Sequence, residues 1–485
     1  MKLRKSISAV IVALFTLLIL ASCNSGSDKS DVSHNDKDNQ RAEQSEKSNA
    51  SHIDWDNHDQ RAEQFVMALV NGDYDTAAAG FVPELMQGLG VSGLKEAWEN
   101  TVRTAGAFIS VTGTEVILDD NIPHEEYDIY HVVTRHENSG INSRIVFSKD
   151  GLVAGLLFTF VENTDDLDIT QKDGYTDFPV VIGEGTDFPL NGLLSIPDNA
   201  AGQVPAVVIV HGSGAHDMDL TLFANKPYQD VAEYLASNGI AVIRYNKRTF
   251  AHGAKMGNSY TIREETIEDA ILATEILKAD PRIDENKVFV IGHSLGGMLA
   301  PRIHAEGGDY AGLILLAGSP RFLLDISKDQ TIAGVIAAMD GEDRETALAQ
   351  IEEHWDLQTY ELVNLPDDTA KNTPTEGVTA YYYKELYEHP ATAYIENITV
   401  PFLVVQGSND LQILTDVDFA AYQELLAGRS NVTFKLYEGL NHLFMPSTIK
   451  NITEILDEYA IEGRFDSQVL ADITAWILEQ SYQKT

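Results

Sequence analysis

The sequence has little positive charge. Its 34 lysines and arginines are outnumbered by 74 aspartates and glutamates, which gives a formal net charge of −40 at pH 7. Because nucleic acids and anionic lipid headgroups are bound through clusters of basic side chains, this balance argues against both as partners. Solubility in a charged, exterior setting is the simplest explanation of the acidity, and tuning to a cationic substrate is the alternative.

Cysteine is almost absent, because Cys23 is the only one in 485 residues. No disulfide can therefore form within the chain. Cys23 follows a positively charged start and an apolar stretch, Ser6 to Leu20, that is too short to span a bilayer comfortably. This arrangement is typical of a secretory signal peptide.

The residues around the cysteine, Leu20-Ala21-Ser22-Cys23, resemble the bacterial lipobox. The resemblance implies that residues 1–22 are a lipoprotein signal peptide and that Cys23 carries acyl chains such as palmitate. Those chains would anchor the protein to the extracytoplasmic face of the cell membrane without a transmembrane helix. A buried free thiol is the alternative.

Apolar residues are nearly missing from the next segment, residues 24–58. Such a composition cannot offset the loss of chain entropy by burial, so residues 23–58 are expected to be a disordered tether. His52 and His58 lie in it, but no histidines of the sequence have the spacing of zinc ligands, and we predict no metal site.

Helical spacing of apolar residues begins after the tether. It runs from Ala62 to Val70, and further helical stretches continue to about Ala105 before four β-rich runs separated by turn signals. This order predicts a small α+β domain over residues 59–165, and the pattern resembles the nuclear-transport-factor-like or cystatin-like modules. The runs are Phe108 to Leu118, Tyr127 to Arg135, Ser143 to Phe147 and Leu152 to Val161.

From residue 175 to residue 485, an opening hairpin is followed by strands that alternate with helices, which predicts an α/β domain. The later strands are continuous apolar runs, as parallel strands covered on both faces should be. Acidic, helical sequence from about 321 to 397 separates two of them and is longer than a strand crossover needs. We expect an inserted lid there, and a long decorated helix pair is the alternative. The hairpin is predicted over Pro179 to Ile182 and Leu190 to Ile196, and the parallel strands over Ala206 to Val210, Ile240 to Arg244, Val288 to Ile291, Gly312 to Leu316, Phe402 to Val405 and Thr433 to Leu436.

A serine stands in a glycine-rich turn directly after one of these strands. Val288 to Ile291 runs into Gly292-His293-Ser294-Leu295-Gly296 and then into an apolar helix start. This is the context of a nucleophile elbow, in which flanking glycines allow a strained serine to lift its Oγ above the sheet. The motif predicts Ser294 as the nucleophile, with Gly292 and Gly296 as its small neighbours. A plain glycine-rich turn is the alternative.

A serine nucleophile needs a base held by a carboxylate, and in the α/β-hydrolase fold the chain order is serine, acid, histidine. Only His442 follows the last plausible acid-bearing strand, in a loop after the final strand. A structural loop histidine is the alternative reading of His442. For the acid we choose Asp410, just past Phe402 to Val405, where parallel sheets place their sites. Asp416 and Asp418, on the presumed next helix, are the alternatives.

Backbone N–H groups must also bind the developing oxyanion. The loop after the strand that ends at Val210 reads His211-Gly212-Ser213-Gly214 and resembles the H-G-x-G element of esterases and related hydrolases. The resemblance implies an oxyanion hole formed by the N–H groups of Ser213 and Leu295. We expect His211 to be a structural residue of this loop rather than a proton carrier.

These motifs, in this order, resemble bacterial α/β-hydrolases near the dienelactone-hydrolase and serine-aminopeptidase groups over residues 175–485. The resemblance implies an α/β-hydrolase fold with a mostly parallel sheet and esterase activity. Tyr245-Asn246-Lys247-Arg248-Thr249 resembles the Y-D-x-R-G loop of these families, with Asn and Thr in place of Asp and Gly. That departure leaves the triad intact but weakens any transfer of substrate specificity. His252 and Lys255, farther along, either line the pocket or belong to a solvated surface loop.

Together these residues predict a serine hydrolase that works by acyl transfer and needs no cofactor or metal. On the family resemblance we expect a carboxylesterase acting on small or medium acyl esters. A serine peptidase or amidase is the first alternative, since the same triad cleaves amides. A non-catalytic surface lipoprotein that keeps the fold for binding is the second.

Overall fold

The chain forms two compact units in the computed structural model, one ending at Asn163 and one containing the described residues from 167 onward. No helix in the part of the chain that the structure describes is long and apolar enough to cross a membrane. The predicted signal peptide, Cys23 and the tether lie outside the described residues. Those residues are 60–116, 127–163, 167–198, 200–375 and 377–482.

The first unit consists of helices followed by a four-stranded antiparallel sheet in which each strand pairs with the next along the chain. The predicted small α+β fold is therefore confirmed. Its helices are α1 (Arg61–Val70), α2 (Tyr74–Ala78), α3 (Pro83–Gly88) and α4 (Gly90–Ala105), and its strands are β1 (Phe108–Val116), β2 (Tyr127–His136), β3 (Gly140–Ser148) and β4 (Val153–Val161).

One face of this sheet is covered by the helices. Phe65 and Leu69, one helical turn apart on α1, are fully buried together with Trp98 of α4. Ile141 and Ile145 of β3 belong to the same cluster. Residues four apart on a helix share one face, and residues an even number apart on a strand share one face of the sheet. The apolar face of α1 and the apolar face of β3 therefore pack into one core.

The second unit is built on a nine-stranded sheet in the order β13-β12-β11-β10-β8-β9-β7-β6-β5, numbered along the chain. The six strands from β8 to β13 are mutually parallel, whereas β5, β6 and β7 pair antiparallel with their neighbours. This confirms the predicted mostly parallel sheet. The strands are β5 (Thr170–Gln171), β6 (Tyr175–Ile182), β7 (Leu190–Pro197), β8 (Val204–Val210), β9 (Ala241–Tyr245), β10 (Ile283–His293), β11 (Leu313–Leu316), β12 (Phe402–Gly407) and β13 (Val432–Tyr437).

Helices cover both faces of this sheet. Along β8, Ala206, Val208 and Val210 belong to one apolar cluster, whereas Val207 and Ile209 belong to another. Successive side chains of a strand point to opposite faces, so a strand buried on both faces has to be apolar at every position. The helices are α5 (Pro227–Ser237), α6 (Arg248–Met256), α7 (Glu268–Ala279), α8 (Leu295–Ile303), α9 (Leu323–Ala338), α10 (Gly341–Val363), α11 (Asp367–Ala370), α12 (Ala380–Glu388), α13 (Ala391–Ile395), α14 (Ala420–Leu425), α15 (Ile455–Tyr459) and α16 (Ser467–Tyr482).

The chain order of the strands reverses at β8. From β8 the chain passes to β9 on one side and later to β10 on the other. Loops that leave the carboxyl ends of parallel strands on either side of such a point diverge and open a crevice, where α/β proteins bind their ligands. The loops that follow β8 and β10 are therefore where the fold predicts a ligand-binding site.

Five helices, α9 to α13, form an insertion (residues 323–395) between β11 and β12. Helix α12 of the insertion is fixed to α8 by a buried ion pair. Arg302 Nη1 and Nη2 donate to Glu385 Oε2 and Oε1 at 3.2 and 2.5 Å, and Arg302 Nε donates to Glu306 at 2.8 Å. Because Arg302 belongs to the helix that begins beside Ser294, this part of the insertion is anchored to the elbow.

Candidate active site

Ser294 is the single residue between strand β10 and helix α8. Its backbone has φ 55° and ψ −117°, a conformation that L residues rarely adopt. Its N–H donates to the Leu316 carbonyl at 2.9 Å, and its carbonyl accepts from the Met298 N–H at 3.1 Å. The strained turn is therefore held from β11 on one side and from α8 on the other.

Two glycines allow the strand and the helix to approach each other at this turn. A Cβ at Gly292 would overlap the Gly296 carbonyl, and a Cβ at Gly296 would overlap the Val210 carbonyl at the end of β8. Both positions therefore require glycine, and the turn has the geometry expected of a nucleophile elbow.

His442 and Asp410 form a buried pair. His442 Nδ1 lies 2.8 Å from Asp410 Oδ2, and the two residues are 7% and 3% exposed. A carboxylate only accepts, so Nδ1 carries the proton and the His442 Nε2 lone pair is left to act as a base. The pair has the arrangement that a serine hydrolase needs behind its nucleophile.

The Asp410 carboxylate is oriented by its neighbours. Oδ1 accepts the backbone N–H groups of Gln412 and Ile413 at 2.8 and 3.0 Å, and Oδ2 also accepts Gln406 Nε2 at 3.0 Å. These donors fix the orientation of the carboxylate and direct one oxygen at His442.

The two alternative acids lie elsewhere. Asp418 is buried, but its carboxylate accepts from the Ser319 hydroxyl at 2.7 Å and from Arg321 at 3.1 Å, which ties the loop after β11 to the turn after β12. Asp416 is exposed on the π-helical turn Thr415–Phe419. Of the three candidates, only Asp410 is hydrogen-bonded to His442.

The loop His211–Gly214, here called the oxyanion loop, passes directly against the elbow. A Cβ at Gly212 would lie 3.1 Å from Ser294 Cβ and 3.6 Å from its Oγ. The N–H of Leu295 belongs to the first turn of α8, where helix N–H groups lack a partner within the helix. The peptides of Ser213 and Leu295 therefore flank the same serine.

His211 has a structural environment. It is 1% exposed, its Nε2–H donates to the Asp217 carbonyl at 3.2 Å, and its ring packs against Tyr228 and Tyr245. Burial, with the charge of Lys247, lowers the pKa of His211 to about 3, so the ring is neutral at ordinary pH. This environment agrees with the structural role expected for it.

The sequence reasoning missed a buried relay beneath the site. The Gly212 N–H donates to the Tyr228 hydroxyl at 3.4 Å, Tyr228 donates to His293 Nδ1 at 3.1 Å, and His293 Nε2–H donates to the His442 carbonyl at 2.9 Å. The carbonyl can only accept, which assigns the His293 tautomer. The relay joins the oxyanion loop, the elbow and the loop of the base. The only feature of the sequence that pointed to this relay was His293, the histidine between Gly292 and Ser294.

Acid should destabilise the protein through His293. Burial, with the nearby His442, lowers its pKa to about 3, so between pH 6.5 and 3 the unfolded chain binds a proton that the folded chain does not. Stability is then lost as the pH falls below 6.5. We expect His293→Gln, which keeps a donor and an acceptor, to remove about 1.4 kcal/mol of this loss per pH unit. Urea unfolding of both proteins at pH 7 and pH 5 measures the difference, and parallel losses would contradict the expectation.

His252 and Lys255 are engaged at the hairpin rather than at the elbow. His252 Nε2–H donates to the Pro189 carbonyl at 2.7 Å, and Lys255 Nζ donates to the Asp187 carbonyl at 2.6 Å. These bonds tie α6 to the turn between β6 and β7. They favour a surface position over a pocket-lining one, although the segment is a helix and not the expected loop. Within the described ranges, no group of three His, Cys, Asp or Glu side chains could hold a metal ion.

The sheet order, the elbow and the buried His–Asp pair define an α/β-hydrolase. The profile of the family described as serine aminopeptidase, S33, matches residues 203–446, and that of a family described as a protein of unknown function (DUF3887) matches residues 62–156. Esterase EstD of Thermotoga maritima is 32% identical over 426 residues, which cover 87% of this chain and 95% of that protein. The chain belongs to the serine aminopeptidase S33 family of α/β-hydrolases.

Solved structures that this chain matches include two proteins described as esterases. Est1E from Butyrivibrio proteoclasticus is 17% identical with a TM-score of 0.40, and the match covers 63% of this chain and 99% of that one. The Pyrococcus furiosus esterase Pf2001 is 16% identical with a TM-score of 0.36, and the match covers 63% and 92%.

Proposed function

We propose that the protein is a serine carboxylesterase that hydrolyses small or medium acyl esters. The observation that carries the proposal is the buried His442–Asp410 pair, in which the His442 carbonyl accepts a hydrogen bond from His293, the residue beside Ser294. The His293 and His442 rings lie 4.7 Å apart between centroids, and this proximity of His442 to the turn that carries Ser294 supports its assignment as the base. The homologous relative named an esterase supports the choice of ester substrates.

The reaction runs by acyl transfer. The Ser294 hydroxyl attacks the ester carbonyl while His442 Nε2 takes its proton, and Asp410 stabilises the resulting imidazolium. The N–H groups of Ser213 and Leu295 bind the negative oxygen of the tetrahedral intermediate. His442 then returns the proton to the departing alcohol, and water, activated in the same way, releases the acyl group from Ser294.

Peptide hydrolysis is the second candidate, because the matching family is described by a serine aminopeptidase. The same triad cleaves amides when the pocket positions an amine leaving group for protonation. The choice of ester follows from the esterase relative alone.

A paired substrate series tests the proposal. We expect p-nitrophenyl esters of short and medium acyl chains to be hydrolysed, with little cleavage of aminoacyl p-nitroanilides. Initial rates of the full chain on both series measure this, with Ser294→Ala as the control for background hydrolysis. Anilide cleavage without ester cleavage would overturn the esterase assignment in favour of a peptidase.

We also propose that the protein is a lipoprotein of the extracytoplasmic membrane face, acylated at Cys23. The proposal is supported by the sequence from Leu20 to Cys23 and by the signal-peptide pattern of residues 1–22. Metabolic labelling with radioactive palmitate should mark the wild type and not Cys23→Ser. Equal labelling of the two proteins would contradict the anchor.

A further inference from the structure

A buried lysine lies behind the oxyanion loop. Lys247 is 2% exposed, and its Nζ donates to the Gly212 carbonyl at 2.8 Å. The same Nζ lies 2.6 Å from Glu265 Oε1, and the Lys247 N–H donates to the His216 carbonyl at 3.0 Å. The side chain therefore bridges the oxyanion loop and the π-helical turn Arg263–Ile267, which precedes α7.

The carbonyl that Lys247 contacts belongs to the peptide group that carries the Ser213 N–H. A peptide group is planar, so fixing its oxygen fixes the direction of its N–H. A hydrogen bond to the oxygen also polarises the group and strengthens the N–H as a donor, and a cationic donor does so more than a neutral one. Lys247 is placed to affect the oxyanion donor without touching the substrate.

We propose that Lys247 is a positioning residue of the oxyanion hole, which orients and polarises the Gly212–Ser213 peptide toward the developing oxyanion. This inference rests on the proposed function, because it assigns a role only if Ser294 performs acyl transfer. Fixed donors aimed at developing charge act most strongly where water is excluded, and Lys247 and Glu265 are both buried.

A purely structural bridge would not require a charge. Burying an ion pair costs desolvation, and apolar residues of similar volume often replace such pairs without loss of stability. At this position the ammonium has an effect that an apolar side chain cannot reproduce, because only a donor can polarise the Gly212 carbonyl. The charge is therefore explained by the peptide that it contacts.

The bridge continues into the insertion. Glu265 Oε2 accepts the Tyr382 hydroxyl of α12 at 2.6 Å. Burial and the neighbouring Glu265 raise the pKa of Tyr382 well above its usual value, so the hydroxyl remains a donor. Helix α12 is itself held by Arg302. The position of the insertion is thereby coupled to the oxyanion peptide through Glu265 and Lys247.

The test compares effects on the transition state with effects on substrate binding. Removing an oxyanion donor outright costs about 10²–10³ in kcat, so weakening one in Lys247→Met should cost about tenfold. We expect KM to change less than about threefold. The inhibition constant of a trifluoromethyl ketone, which forms an oxyanion adduct, should rise about tenfold, whereas that of the matching alcohol stays the same.

Two further variants separate this role from loss of folding. Lys247→Met leaves Glu265 buried without its cation, so the double variant Lys247→Met/Glu265→Gln removes both charges together. It should show the same fall in kcat. Tyr382→Phe should also lower kcat and raise the inhibition constant of the ketone, but by less than Lys247→Met does. Tyr387 is an exposed tyrosine on the same helix, so Tyr387→Phe is the matched control and should change neither value.

The outcomes are distinct. A folded double variant with wild-type kcat and a wild-type inhibition constant for the ketone overturns the role of Lys247 and leaves the esterase proposal standing. A raised KM with unchanged kcat also overturns it, since Lys247 would then act in substrate binding. A wild type that hydrolyses no ester in a Ser294-dependent way overturns the proposed function, and this inference with it.

Discussion

Ser294→Ala is expected to lower kcat for ester hydrolysis about 10⁶-fold, the cost of removing the nucleophile from a triad that acts as a unit. KM should change little, because the hydroxyl reacts with the acyl group and contributes little to binding it. The fold should be unaffected, since alanine keeps the Cβ and the surrounding backbone bonds. Steady-state kinetics with a p-nitrophenyl ester and thermal unfolding of the same preparation measure both effects.

Ser294→Gly provides a matched control for the strain in the turn. Glycine in place of alanine ordinarily costs about 0.5–1 kcal/mol in regular structure. At φ 55° and ψ −117° the Cβ is the source of strain, so the glycine variant should be at least as stable as the alanine variant. A glycine variant that unfolds well below Ser294→Ala would contradict the strained-elbow description.

Asp410→Asn is expected to lower kcat about 10⁴-fold while leaving the backbone in place. The asparagine oxygen can still accept the N–H groups of Gln412 and Ile413, which directs its NH₂ toward His442 Nδ1. Nδ1 must then accept, so the proton moves to Nε2 and the base is lost. The pH dependence of kcat and the rate at saturating substrate measure the loss.

Asp418→Asn is the control for this substitution. Asp418 is also a buried carboxylate after β12, but its partners are Ser319, Arg321 and the Leu414 N–H rather than the base. We expect its loss to affect thermal stability more than kcat. A larger fall in kcat for Asp418→Asn than for Asp410→Asn would contradict the assignment of Asp410 as the acid.

The parallel strands could be predicted because burial on both faces makes them continuously apolar. The run Ala206 to Val210 corresponds to β8, which begins only two residues earlier, at Val204. The start of β10 was missed because residues 284–287 are polar, and the register shifts between Ile283 and Val288. The elbow could be predicted because close backbone contacts require glycine two residues before and two residues after Ser294.

The support of the site could not be predicted from local patterns. Tyr228 and His293 are 65 residues apart, and Lys247 reaches Gly212 over 35 residues. Such pairs have no periodicity in the sequence, because they follow from which strands the sheet order brings together. Lys247 stood in the Tyr245–Thr249 motif, but its role depends on the orientation of a peptide that only the three-dimensional structure reveals.

The most direct test of the account is covalent labelling by a fluorophosphonate probe, which reacts only with a serine activated by its base. We predict that the full-length wild type is labelled, that the adduct maps to Ser294, and that Ser294→Ala is not labelled while Asp418→Asn is. An unlabelled, folded wild type, or an adduct on another serine, would contradict the assignment of Ser294 as the nucleophile.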